Sequence, residues 1–244
     1  MIEALIFDCD GVIADTERDG HRIAFNLAFA ERGYKFKWGV EHYGDLLKIA
    51  GGKERMRFYF EEKGWPRGVY DRDELIKELH LRKTVLYMEM VERRQLPLRP
   101  GVKRLVDEAI ADGVALVVCS TSSERAVNLI VEKLFGEERQ SKFALLLAGD
   151  IASKKKPDPE IYNLARERLR VRADRCLVIE DSRNGLLAAK AAGLHCVITT
   201  SRYTVDEDFK EADAVFPELG DPPGRQVTLK DLQRIVAAKD GYIL

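Results

Sequence analysis

The chain has 244 residues, 45% of them hydrophobic and 33% charged, enough for one large domain or for a core with a smaller second domain. Its 40 Lys and Arg stand against 41 Asp and Glu, and the net charge of -1 excludes a general attraction to nucleic acid or to a membrane surface. No apolar run approaches the length of a membrane span, and a strand-like run from residue 2 predicts no signal peptide.

The first element is ALIF (4–7), an unbroken apolar run that predicts a buried strand. It runs into FDCDG, where Asp8 and Asp10 flank Cys9 ahead of a turn at Gly11. Two like charges so close resist burial, so they either splay into water or hold something positive between them. Strand alternation turns Cys9 the other way, into the packing of the sheet.

Residues 16–96 contain no convincing strand. Stretches such as RIAFNLAFAERG and ELIKELHLRKTVLYMEMVERRQ carry helical periodicity and predict an all-helical cap domain inserted into a core made of residues 1–15 and 97–244. Within the cap, Glu17 and His21 are four apart and share a helix face. Tyr43 is a residue for packing or for a hydrogen bond to a ligand. In GGKER, Gly51, Gly52, Lys53 and Arg55 stand where a helix starts, and backbone N–H groups with a lysine and an arginine would suit a phosphate. The same stretch reads equally as a turn with solvated charges; it is not a Walker loop, because neither its spacing nor a Ser or Thr fits. Pro97, Pro100 and Gly101 in LPLRPG mark re-entry into the core.

From there apolar runs alternate with amphipathic segments: ALVVCS, ALLLAGD, CLVIED and HCVITT against VKRLVDEAIADG, SERAVNLIVEKLFG, PEIYNLARERL and NGLLAAKAAG. Gly113, Gly136 and Gly193 close three of the helices. The pattern predicts a doubly wound, Rossmann-like α/β core around a parallel sheet, with DAVF as a last strand and TLKDLQRIVAA as a closing helix. The four cysteines all lie in or beside apolar runs without a CxxC pair, and read as reduced thiols of an intracellular protein.

Doubly wound sheets bind ligands beyond the carboxyl ends of their strands. That rule gathers Asp8 and Asp10, Ser120 and Thr121, Lys156 of KKKPDP, and Glu180 with Asp181. Taken singly these are a strand-to-turn pair, a helix cap, a solvated lysine and an acid pair at a helix start. Together they form an acidic cluster that calls for a cation, and Mg²⁺ would take Asp8, Asp181 and the backbone carbonyl of Asp10, with Glu180 behind them. Asp8 would attack phosphorus to give an aspartyl-phosphate, and Asp10 would protonate the leaving oxygen and then activate water. Lys156 and Ser120 would hold the phosphoryl oxygens.

These four motifs, FDCDG, VVCST, the lysine of KKKPDPEIY and VIEDSRNG, resemble those of the haloacid dehalogenase superfamily of phosphohydrolases, as does a cap inserted after the first. Dehalogenating members typically lack the second aspartate, so Asp10 points away from that activity. Over nearly the whole chain, DTERDGHRIAFN, YGDLLKIAGGKERM, LPLRPGV and YTVDEDF are similar to the CbbY family of xylulose-1,5-bisphosphate phosphatases, especially its plant and algal branch. The resemblance implies a Mg²⁺-dependent sugar-bisphosphate phosphatase that hydrolyses xylulose 1,5-bisphosphate, an inhibitory by-product of Rubisco, to xylulose 5-phosphate. It implies substrate contacts at Glu17, His21, Tyr43, Gly51, Gly52, Lys53, Arg55 and Thr121, a small-molecule partner only, and a chloroplast stromal location with the cytoplasm as alternative. A monomer is the expected state. Against bacterial members, TERDGH carries one extra residue between Glu17 and His21, and the acids of YTVDEDF fall on a solvated loop with no assigned role. The alternatives are a β-phosphoglucomutase-like phosphomutase, a generic sugar-phosphate phosphatase and a non-catalytic module, the last opposed by intact Asp8, Asp10, Lys156 and Asp181.

Overall fold

Strands buried on both faces need uninterrupted apolar runs, and the central strands supply them. The structure, a computed structural model, describes residues 1–49 and 51–239. Two compact units divide the chain: Met1–Asp15 together with the chain from Pro97 onward, and Thr16–Leu96. The first unit is built on six strands: β1 (Ala4–Phe7), β2 (Ala115–Cys119), β3 (Phe143–Leu147), β4 (Cys176–Glu180), β5 (His195–Thr199) and β6 (Ala214–Phe216). They pair in parallel in the order β3-β2-β1-β4-β5-β6, and every residue of β1 and β4 is buried. The strand order reverses between β1 and β4, which makes their carboxyl ends the topological switch point where such sheets open a crevice. The fold is the expected doubly wound one.

Among the described residues the regular elements of the second unit are all helical: a π-helical turn (Thr16–His21), then α1 (Arg22–Glu31), α2 (Val40–Leu46), α3 (Gly52–Lys63) and α4 (Arg72–Glu92). Its core is aromatic, with Phe25, Phe29, Trp38, Tyr43 and Phe60 fully buried and ring centroids 5.1 Å apart for Phe29 and Trp38. Helix α4 starts where the Asp71 carboxylate accepts from the N–H groups of Asp73 and Glu74. The segment around Glu17 is not the plain α-helix that four-residue spacing suggests. It is wound one residue wider per turn, and its buried Gly20 lies so close to Tyr87 that a Cβ would sit 2.7 Å from the ring.

Helices α5 (Val102–Ala111), α6 (Glu124–Phe135), α7 (Glu137–Gln140), α8 (Glu160–Leu169), α9 (Arg183–Ala191) and α10 (Leu229–Lys239) complete the sheet unit. Helix α5 begins after Gly101, whose positive φ of 83° and approach to Gly220 leave no room for a side chain. All four cysteines are free and buried. Among the described residues, no helix is long and apolar enough to cross a membrane.

Candidate active site

The ends of β1, β2 and β4 bring the acidic and basic residues together. The amide of Asp8 continues the β1–β4 ladder by donating to the Ile179 carbonyl at 2.9 Å, which seats its side chain at the switch point. Lys156, from the loop before α8, donates its ammonium to Asp8 Oδ1 (2.6 Å), Glu180 Oε1 (2.6 Å) and the Cys119 carbonyl (2.9 Å). Its side chain is 7% exposed, so this is a buried cation shared by two carboxylates and not the solvated member of a basic run.

Glu180 is gripped on both oxygens. Tyr162, on α8, donates its hydroxyl to Oε1 at 2.5 Å, and the Asp181 amide donates to Oε2 at 3.1 Å. The carboxylate occupies space that only a glycine leaves free, because a Cβ on Gly185 would lie 1.9 Å from its carbon. Gly11 does the same for Asp181, where a Cβ would lie 2.1 Å from Oδ2. Ser201 and the charge of Arg99 both act on the Asp181 carboxylate to favour its ionised form.

Asp10 turns toward the loop after β2. Ser122 Oγ donates to its Oδ2 at 2.6 Å and Ser120 Oγ at 3.4 Å, while Ser120 Oγ accepts from the Ser122 amide at 3.0 Å. Thr121, in the same turn, is exposed. Sequence reasoning named Ser120 and missed Ser122, although both belong to the run STSS.

Carboxylate oxygens of Asp8, Glu180 and Asp181 lie within 4.8 Å of one another, and all three side chains are buried. Burial, reinforced by Glu180 and Asp10 and opposed by Lys156, pushes Asp8 up to about 7. Burial and the charges of Glu180 and Asp8 likewise raise Asp181 well above the carboxylate range. For Lys156 burial acts downward, but Asp8 and Glu180 outweigh it and hold the lysine cationic. Three buried carboxylates against one ammonium leave surplus negative charge on hard oxygen donors, and that donor set fits a small divalent cation such as Mg²⁺.

The helical unit holds a second polar cluster. Tyr43 donates its hydroxyl to Glu17 Oε2 at 2.6 Å and accepts from Arg55 Nη1 at 3.1 Å. Arg55 also donates to the carbonyls of Leu46 (3.0 Å) and Ile49 (3.3 Å) and is buried, so a turn with solvated charges does not describe it; Lys53, exposed, does fit that description. Gly51 takes a φ of +91° ahead of Gly52, the first residue of α3. His21 Nδ1 lies 3.0 Å from the ammonium of Lys83, a buried α4 residue whose charge also faces the Phe25 and Tyr87 rings. Lys83 had no sequence signal beyond its helical spacing from Tyr87.

The sequence profile of the haloacid dehalogenase-like hydrolases matches residues 2–193. The chain is 55% identical to a CBBY-like protein of Arabidopsis thaliana over 93% of its own length and 72% of that protein's. The chain belongs to the haloacid dehalogenase-like hydrolases, in their CbbY-type branch. As a hydrolase of that branch it is a phosphatase. Crystal structures of CbbY from Rhodobacter sphaeroides superpose on this hydrolase. The complex with phosphate has a TM-score of 0.76 at 37% identity, covering 96% of this chain and 100% of that one. A variant in complex with xylulose-(1,5)bisphosphate has a TM-score of 0.73 at 38% identity, covering 93% and 100%.

Proposed function

We propose that this hydrolase is a Mg²⁺-dependent sugar-bisphosphate phosphatase that works through an aspartyl-phosphate and takes xylulose 1,5-bisphosphate as substrate. The observation that carries the chemistry is the switch-point cluster: Asp8 bonded to buried Lys156, with Asp181 and Glu180 within 4.8 Å and Asp10 two residues on. The relative solved with xylulose-(1,5)bisphosphate supports the substrate. Kinship with the Arabidopsis protein is the ground for a chloroplast location.

Asp8, Asp181 and the Asp10 carbonyl would hold the cation, with Glu180 beside them; when bound it neutralises charge on the phosphoryl oxygens and keeps Asp8 ionised. An Asp8 oxygen attacks phosphorus as the bond from phosphorus to the sugar oxygen breaks, and Asp10 gives its proton to that oxygen. Asp10, now a carboxylate, then takes a proton from water as the water oxygen attacks phosphorus. Inorganic phosphate leaves and Asp8 is restored. Lys156 and Ser120 counter the charge spread over the transferred oxygens. Recognition of the non-reacting phosphate and the sugar hydroxyls falls to the helical unit, through Glu17, His21, Tyr43, Gly51, Gly52, Lys53 and Arg55, with Thr121 from the sheet unit.

Phosphate release across a panel of sugar mono- and bisphosphates, with Mg²⁺ and with EDTA, tests this. Fastest turnover of xylulose 1,5-bisphosphate, lost in EDTA, is expected. An isomerised sugar phosphate without free phosphate would instead make the protein a phosphomutase.

A further inference from the structure

One guanidinium in the sheet unit gathers more backbone than any role in folding a single loop requires. Arg99 stands in LPLRPG, just after the chain re-enters the core, and is half-buried. Its own amide donates to the Ile13 carbonyl at 2.9 Å, fixing it to the loop that carries Asp8 and Asp10. Its Nη1 donates to the carbonyls of Gly11 and of Thr199, the latter at 3.1 Å. Its Nη2 donates to the carbonyls of Thr200 (2.7 Å) and Pro217 (2.9 Å). The planar fork thus ties together the loop after β1, the end of β5 and the segment after β6.

Two of those tethers lead to the same carboxylate. Gly11 packs against Asp181 so closely that a Cβ would lie 2.1 Å from Oδ2, so any drift of the Gly11 turn moves or releases Asp181. Thr200 immediately precedes buried Ser201, whose side chain acts on the Asp181 carboxylate. Lys156 and Tyr162 act instead on Asp8 and Glu180.

We propose that Arg99 is a positioning residue for phosphoryl transfer, holding the Gly11 turn and the Thr200–Ser201 backbone so that Asp8, Asp10 and Asp181 keep one fixed arrangement. A lysine could keep the charge but not four carbonyls in three segments, because its ammonium has three donors radiating from one point. A displacement of about 1 Å in such an arrangement costs on the order of 100-fold in turnover while leaving substrate binding nearly intact.

The test compares wild type, Arg99→Lys and Arg99→Ala with the sugar phosphate that the wild type turns over fastest. Steady-state kinetics and thermal melting are measured on each, with the kinetics run well below every melting point so that only folded protein is compared. The expected result is a kcat lower by on the order of 100-fold in Arg99→Ala with KM changed by less than about threefold, and an intermediate kcat in Arg99→Lys. Ethylguanidinium at millimolar concentration is expected to raise kcat of Arg99→Ala without raising its melting temperature. A lowered melting temperature with kcat within about twofold of wild type would overturn the proposal and leave Arg99 a fold stitch. So would a loss confined to KM.

Discussion

Replacing Lys156 with methionine keeps an unbranched side chain, shorter by the terminal nitrogen, and removes its charge. The ammonium is buried and bonds Asp8 at 2.6 Å, Glu180 at 2.6 Å and the Cys119 carbonyl at 2.9 Å, so the substitution leaves two carboxylates and a carbonyl facing an apolar methyl group. Breaking a buried pair from one side typically costs about 3–5 kcal/mol. For a chain of this size each kcal/mol moves the melting temperature by about 2–4 °C, so metal-stripped Lys156→Met should melt about 6–20 °C below metal-stripped wild type near pH 8. The deficit should depend on pH. Burial, with the Glu180 and Asp10 charges, already places Asp8 at about 7 against its ordinary 3.8. A carboxyl raised on folding holds more protons in the native state than in the unfolded one, so its contribution to stability declines as pH climbs from about 4 to about 7. Losing the lysine raises Asp8 further and carries the decline to higher pH. The gap in melting temperature should therefore be widest near pH 8 and narrow near pH 5. Calorimetry in EDTA at the two pH values measures it. A gap under about 2 °C near pH 8, or one equal at both pH values, would refute the view that Lys156 compensates buried charge.

Two further substitutions bear on the chemistry and on recognition. Asp8→Asn should abolish phosphate release while leaving the fold intact by circular dichroism; retained turnover would remove Asp8 as nucleophile. Arg55→Ala should raise KM for the sugar bisphosphate about tenfold or more, through loss of charged hydrogen bonds, while a small aryl phosphate ester is hydrolysed almost as before. Equal losses on both substrates would mean that the Arg55 bonds to Leu46, Ile49 and Tyr43 serve only to hold the helical unit together.

The strands and the acidic cluster were legible because they rest on strong local signals, whereas the order of the strands in the sheet is visible only in the fold. Each strand of the sheet's centre is an apolar run, and its polar residues come directly after it, so Asp8, Asp10, Ser120, Glu180 and Asp181 could be placed from pattern alone. Residues acting across the fold were not legible. Tyr162 sits in KKKPDPEIY, but helical periodicity marks it as a core aromatic, and only the packing of α8 shows its hydroxyl on Glu180. Ser122 differs from its neighbours in STSS only by where the turn points it, toward Asp10. Lys83 is one lysine in a charged helix until the fold buries it beside His21. Glu207, in the stretch given no role, accepts from the Arg183 amide at 2.5 Å and so caps the start of α9, a bond between segments 24 residues apart.

The π-helical turn at Thr16–His21 also bears on how this branch tolerates change in length. A wider turn absorbs one residue without rotating the helix beyond it, so α1 keeps Ala24, Phe25, Ala28 and Phe29 in the aromatic core whatever happens upstream. Loss of one residue between Glu17 and His21 would then tighten this turn to α-helical winding, and the hydrophobic register of α1 would be kept. Chains that differ in length here can share one core, and the segment is free to vary the spacing of its polar side chains while the packing behind them stays in step.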